Sequence, residues 1–264
     1  MSRDSLLLYW YFLRTFRNGP ALIKTLRNGG YLSNAATIDE AVYWSGKKLI
    51  HPKGKSGLVG ILVELLFRNA YGIGKFYAPR PGDVVVDLGA HVGVFAQNLL
   101  RRYQCNLVAI EPCRENFECL QRNLQGFDDS RVKIYNVAIG AGRGKALVKT
   151  PESTNRTHDA RIIRDDNNSN ECVDLLPLHA IFDLCQSPKV DFLKIDIEGS
   201  ELEAFRGLDD SYLTRIQRIA MEYHDNLCAG TLDFLKQKLA STHNVTVVSE
   251  APERGYGMLF AVLK

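Results

Sequence analysis

Residues 84–96 read VVVDLGAHVGVFA, and the rest of the chain is arranged around them. Asp83–Leu88 (DVVVDL) is a largely β-branched run, the pattern of a strand buried on both faces. Gly89 and Gly93 follow at once, and from Val92 to Tyr103 the apolar residues recur with helical spacing. A strand, a glycine-bearing bend and a helix are therefore expected in direct succession. Such a bend lets the backbone approach a ligand closely. The unpaired N–H groups of the helix start lie beside it.

Downstream, the alternation repeats. Asn106–Ile110 (NLVAI) reads as a second strand, Arg114–Gln125 as a helix and Arg131–Ile139 (RVKIYNVAI) as a third strand. Gly140–Ile163 is turn-rich, a hairpin or loop excursion, and Leu175–Cys185 is helical in pattern. Val190–Ile197 (VDFLKIDI) makes a fourth strand, Glu201–Leu208 a helix, Ile216–Glu222 a fifth strand and Thr231–Leu239 a helix. Val245–Ser249 and Met258–Leu263 look like a terminal antiparallel pair joined through Pro252 and Gly255. Repeated strand–helix–strand units imply right-handed crossovers and a mostly parallel sheet covered on both faces. Ligands of such sheets bind beyond the carboxyl ends of the strands.

Upstream, residues 1–78 read as a helical extension broken at Gly19-Pro20, Gly29-Gly30 and Gly72-Ile-Gly74. Pro79-Arg-Pro81-Gly82 is a firm stop, so the main domain is expected over 79–264. Leu6–Leu13 (LLLYWYFL) is far shorter than the roughly 20 residues of a membrane span. It also lacks the small-residue cleavage site of a signal peptide. A helix packed on the main domain or on a second subunit is expected. The sharper alternative is peripheral membrane contact through residues 5–17, since Trp10 and Tyr11 beside arginine suit a headgroup boundary.

The 264 residues suffice for one substantial domain and an appendage. A hydrophobic share of 45% excludes disorder as the main state, and a charge of +3 is too weak to argue for nucleic acid. The six cysteines form no Cys-x-x-Cys pair, so reduced thiols of a cytoplasmic protein are expected rather than disulfides or zinc.

The candidate functional residues cluster at strand ends. A dinucleotide fingerprint is Gly-x-Gly-x-x-Gly, and Asp87 stands where its first glycine belongs. An acidic residue there suits a cationic ligand better than a pyrophosphate. S-adenosylmethionine carries an ammonium and a sulfonium and no phosphate, so the turn favours it over NAD. Glu111, ahead of Pro112, lies about 20 residues after the turn, where an acid can take both ribose hydroxyls. In Lys194-Ile-Asp196-Ile-Glu198-Gly-Ser-Glu201, strand alternation puts Lys194, Asp196 and Glu198 on one face. Glu222-Tyr223-His224 ends the fifth strand, and histidine is suited to accept a proton near neutrality. His91 is expected to line the cofactor pocket. Lys53–Ser56 lacks the upstream glycine of a phosphate loop.

With these residues in view, the chain from 80 to about 225 resembles the FkbM family of methyltransferases. The likeness rests on VVVDLGAHVGVFA (84–96), AIEP (109–112), NVAIG (136–140), DFLKIDIEGSELEAFRGL (191–208) and MEYH (221–224). It implies an α/β fold, a Rossmann-like class I methyltransferase with a seven-stranded, mostly parallel sheet and an antiparallel last strand. It also implies S-adenosylmethionine as cofactor and usually an oxygen acceptor on a small molecule or sugar. Carried across, Asp87, Gly89 and Gly93 would hold the methionine part, with Ala90 and His91 beside them. Glu111 would hold the ribose, residues near Ala138 would sit by the adenine, and Asp196 and Glu198 would lie at the acceptor side. Many members have Leu-Asp where this chain has Leu178-His179, which leaves any role of that aspartate open.

The expected reaction is methyl transfer to a hydroxyl, with Glu198, then His224, then Asp196 as candidate bases. The partner expected is a small-molecule or carbohydrate acceptor, with nucleic acid disfavoured by scattered positive charge. A homo-oligomer stays open, and the carboxylates do not require a metal. The rival readings are a non-catalytic S-adenosylmethionine-binding scaffold and an NAD-dependent Rossmann oxidoreductase.

Overall fold

The computed structural model describes residues 3–30, 37–149, 161–163, 171–248 and 252–264. The N-terminal part holds α1 (Arg3–Thr15), α2 (Gly19–Thr25), a π-helical turn at Leu26–Gly30, and α3 (Leu58–Leu62) running into a second π-helical turn at Val63–Arg68. It is not wholly helical. β1 (Glu40–Val42) and β2 (Lys48–Ile50) form an antiparallel hairpin, whose three-residue strands are too short to show a period of two. Asn18 clamps that hairpin to the α1–α2 joint. Its Nδ2 donates to the Glu40 carbonyl and its Oδ1 accepts from Val42 N–H, both at 2.9 Å.

Phe12, Phe16, Leu22, Leu49, Leu58 and Leu62 bury together against Val92, Val94 and Cys119 of the main domain. Buried Asn123 stitches the two parts: it donates to the carbonyls of Ile50 and Val92 at 2.7 Å and accepts from Ile50 N–H at 2.7 Å. The other face of α1 leaves Leu6, Leu7, Trp10 and Leu13 exposed. No helix among the described residues is long and apolar enough to cross a membrane.

The chain then runs β3 (Val84–Leu88), α4 (Val94–Arg102), β4 (Asn106–Ile110), α5 (Arg114–Leu124), β5 (Val132–Tyr135), β6 (Val137–Gly140), β7 (Gly144–Lys149), β8 (Arg161–Ile163) and β9 (Glu171–Pro177). It continues through α6 (Ile181–Cys185), β10 (Phe192–Ile195), α7 (Glu201–Arg206), α8 (Asp210–Leu213), β11 (Arg218–His224), α9 (Thr231–Ala240), β12 (His243–Val248) and β13 (Tyr256–Leu263). The seven-stranded sheet has the order β12-β13-β11-β10-β3-β4-β5. β10, β11, β3, β4 and β5 pair in parallel, while β13 is antiparallel to both neighbours. This is the expected Rossmann-like class I arrangement.

Strand alternation supplies two apolar faces. Val86, Leu88, Val108, Ile110, Leu193 and Ile195 meet Ile181, Phe205, Leu235 and Leu239 on one side. Val85, Leu107, Ala109 and Phe192 meet Phe95, Leu99, Leu120 and Tyr71 on the other.

Two expected elements differ. The single strand Arg131–Ile139 is two, broken at Asn136. The Asn136 side chain donates to the Glu111 and Pro112 carbonyls at 2.9 and 2.8 Å, and the chain turns out of the main sheet there. β6 then joins β9, β7 and β8 in a separate four-stranded sheet. The helix expected over Leu175–Cys185 starts late, because Leu175 and Leu176 pair in parallel with Ala138 and Ile139. Proline cannot continue a helix interior, and Pro177 closes β9 before a 3₁₀ turn at Leu178–Ala180 leads into α6. The excursion expected over Gly140–Ile163 is an antiparallel β7–β8 pair, with 150–160 outside the described residues, as is Ser249. His179 stacks on Tyr212 with ring centroids 5.0 Å apart.

Candidate active site

The carboxyl ends of β3, β4, β10 and β11 open into one cavity of about 980 Å³, at the top of the usual range for small-molecule sites, about 300–1,000 Å³. Gly89, Ala90, His91, Glu111, Asp196, Glu198 and His224 line it, so the sequence motifs at four separate strand ends converge. Three expected contact residues do not reach the cavity wall. Asp87 is fully buried, with Lys194 Nζ 2.9 Å from its Oδ1; that pair holds β3 to β10, where the two residues are register partners. Gly93 caps α4 at φ +83°, and a Cβ there would stand 2.6 Å from Leu120 Cδ1, so it serves helix packing. Ala138 points into the small-sheet core, and its strand neighbours Val137 and Ile139 face the cavity instead. Period-two alternation makes that exchange inevitable once the register is known.

The glycine turn is built against β4. Gly89 and Ala90 N–H both donate to the Ile110 carbonyl, at 3.0 and 2.9 Å, so these amides are already used within the fold. Gly89 has φ +71°, and a Cβ would lie 1.7 Å from the Asp196 carbonyl oxygen. Only bare backbone fits there. His91 takes φ +51°, and its N–H donates to Glu111 Oε2 at 2.8 Å. Glu111 Oε1 accepts from Cys113 N–H at 3.0 Å and Asn116 Nδ2 at 3.3 Å. Burial pushes the Glu111 carboxyl up to about 7 against these bonds.

The signature IDIEGSE proves to be a turn. β10 stops at Ile195, so the expected alternation does not carry on to Glu198. Glu198 and Gly199 take φ +46° and +88°, and Ser200 N–H closes back on the Ile197 carbonyl at 3.2 Å. Left-handed geometry at both central residues is that of a type I′ turn. It is uncommon for a glutamate. The turn aims Glu198 at His224, with Oε2 3.6 Å from Nε2. On the ring's far side, Nδ1 lies 2.9 Å from Oε1 of fully buried Glu201, which also accepts from Gly199 N–H at 3.1 Å. Burial alone would lower the His224 imidazolium. The hydrogen bond and charge of Glu201, with Glu198 and Asp196 behind it, instead hold it up to about 10.

Residues without a motif complete the wall. Tyr71 is buried, and its hydroxyl donates to Asp196 Oδ2 at 2.9 Å. Glu64, on the second π-helical turn, has its carboxyl pushed up to about 7 by burial and then by Asp196. Glu222 is pushed up to about 9 by burial, with Asp196 and Glu64 adding to it. Glu64 was legible as a lone carboxylate in the apolar run Leu58–Phe67; Tyr71 carried no signal.

The chain matches the family described as Methyltransferase FkbM domain over residues 87–244, more than half its length. It belongs to the FkbM methyltransferase family. The chain is therefore a methyltransferase that uses S-adenosylmethionine, and the NAD-dependent reading falls. Methyltransferase 1 of Beauveria bassiana is 27% identical over 77% of this chain and 87% of its own length. Methyltransferase sdnD of Sordaria araneosa is 23% identical over 52% of this chain and 65% of its own. Among solved structures, precorrin-6y C5,15-methyltransferase from Geobacter metallireducens is similar at a TM-score of 0.41 and 13% identity, covering 71% of this chain and 84% of that one.

The cavity suits that donor. Its wall at Gly89 is bare backbone, and the acidic side chains of Asp196 and Glu198 on that wall suit a ligand that carries positive charge.

Proposed function

We propose that the FkbM-type chain methylates a hydroxyl on a small molecule or sugar, with Glu198 taking the hydroxyl proton. S-adenosylmethionine, when bound, supplies an electrophilic methyl: the acceptor oxygen forms a C–O bond, the C–S bond breaks, and its electron pair stays on sulfur in the departing S-adenosylhomocysteine. Gly89, Ala90, His91 and Glu111 would hold the donor at the ends of β3 and β4. Asp196 and Glu198 stand on the acceptor side, at the end of β10. Tyr71 fixes Asp196 through its Oδ2, and Lys194 is committed to Asp87. The His224 ring, held at Nδ1 by Glu201, turns its Nε2 toward Glu198 and so helps to orient it. With an activated donor, the chain's task is chiefly alignment and removal of one proton.

The observation that carries this reading is Glu198 in its left-handed turn, 3.6 Å from His224 inside the same cavity as Glu111. A cytoplasmic location is part of the proposal, supported by six unpaired thiols. The test supplies labelled donor and panels of hydroxylated metabolites and glycans to the purified chain. Glu198→Gln should cut turnover about 10²–10⁴-fold, the usual worth of a positioned base, with donor affinity by titration calorimetry unchanged. Full turnover in that variant, or label found on a nitrogen or carbon acceptor, overturns the reading.

A further inference from the structure

Asp196, Glu198 and His224 come from two strand ends and a turn, yet each offers one ligand atom such that all three lie within 4.8 Å of one another. Two features separate this group from an ordinary surface cluster. The first is orientation. His224 is buried, and its Nδ1 is bound to Glu201 at 2.9 Å, which leaves Nε2 turned toward Glu198 at 3.6 Å. A carboxylate on the far nitrogen of an imidazole is the arrangement that fixes ring and tautomer in metal-binding histidines. The second is an orphan atom. Tyr71 engages Asp196 Oδ2, whereas Asp196 Oδ1 is shut off from solvent with no hydrogen-bond partner among the described residues. A buried carboxylate oxygen without a donor is costly. Lys194, 4.0 Å from Asp196, is 2.9 Å from Asp87 and spends its charge there.

We propose that Asp196, Glu198 and His224 form a divalent-cation site at the acceptor wall, with Glu201 as the positioning residue behind His224. Two carboxylate oxygens and one imidazole, whose Nε2 proton the cation displaces on binding, suit a hard-to-borderline ion such as Mn²⁺. Three protein ligands leave coordination positions open to the cavity, as reactive rather than structural metal sites do. An ion there would polarise an acceptor hydroxyl and ease loss of its proton to the Glu198 oxygen that does not ligate. That role rests on the O-methyl transfer proposed above; the binding site itself does not.

The test uses the full chain, stripped with a chelator and desalted, and reads binding of Mn²⁺ alone by paramagnetic resonance of the free ion. One equivalent should bind. Asp196→Asn and His224→Gln should each weaken binding at least tenfold, and Glu201→Gln should weaken it about 10–100-fold, the usual effect of losing a supporting carboxylate. Glu198→Gln, on a turn at the cavity wall, serves if the buried variants fail to fold. Absence of stoichiometric binding, or binding indifferent to these substitutions, overturns the site. Donor titration on the same stripped sample separates the two proposals. Transfer to a hydroxyl that proceeds while added Mn²⁺ fails to bind sinks the metal site alone. Mn²⁺ bound at the triad, with no hydroxyl ever methylated, upholds the site and sinks the transfer reading.

Discussion

Lys194 and Asp87 face each other as register partners across the parallel strands β10 and β3, with Nζ 2.9 Å from Oδ1 and side-chain exposures of 3% and 0%. Lys194 Nζ also donates to the Gly89 carbonyl at 2.7 Å, so one ammonium ties the strand pair to the glycine turn. Removing one partner leaves a buried, uncompensated charge. Lys194→Met should therefore cost about 3–5 kcal/mol, read as a lower urea midpoint. Lys194→Met with Asp87→Leu should regain most of that loss, because an apolar pair carries no desolvation penalty. A single variant as stable as the parent would show that the pair does not hold the sheet.

The two glycines of the turn should behave differently. At Gly89 an added Cβ meets the Asp196 carbonyl oxygen at 1.7 Å, a backbone atom that cannot step aside. At Gly93 it meets only Leu120 Cδ1, at 2.6 Å, the far end of a flexible side chain. Both residues have positive φ, which costs a non-glycine residue about 1–2 kcal/mol. Gly93→Ala should lose stability on that scale and keep donor affinity. Gly89→Ala should lose donor binding outright, or fail to fold. Calorimetric melting and donor titration on the two variants check this, and equal behaviour would refute it.

Glu222 predicts a pH effect of definite sign. Its carboxyl is pushed from 4.5 up to about 9 in the folded chain, chiefly by burial. A carboxyl held higher when folded favours the native state fully below its unfolded value, and that advantage is lost as pH rises through the folded value. Glu222→Gln cannot ionise. Its Tm should match the parent near about pH 5 and exceed it near about pH 8, by roughly 2–4 °C for each kcal/mol relieved. Parallel melting curves across that range would show that Glu222 ionises freely in the fold.

Much was written in local order along the chain. The β-branched run Val84–Val86, the turn at Gly89, NLVAI at 106–110 and the carboxylates at strand ends were legible because a strand buried on both faces must be apolar and a close backbone approach must be bare. Those constraints act within a few residues, so the doubly covered parallel sheet, the ligand side of it and the ring of Glu111, Asp196, Glu198 and His224 follow from sequence alone. What tertiary structure decided were partners distant along the chain. Lys194 claims Asp87, Tyr71 reaches Asp196 across 125 positions, and Glu201 captures His224 and fixes its ring. Asn136 ends one strand by binding carbonyls that only folding brings within reach. Desolvation and pairing depend on what surrounds a group in three dimensions. The sequence thus named the acids and the histidine, while the fold assigned which are committed to structure and which remain for chemistry.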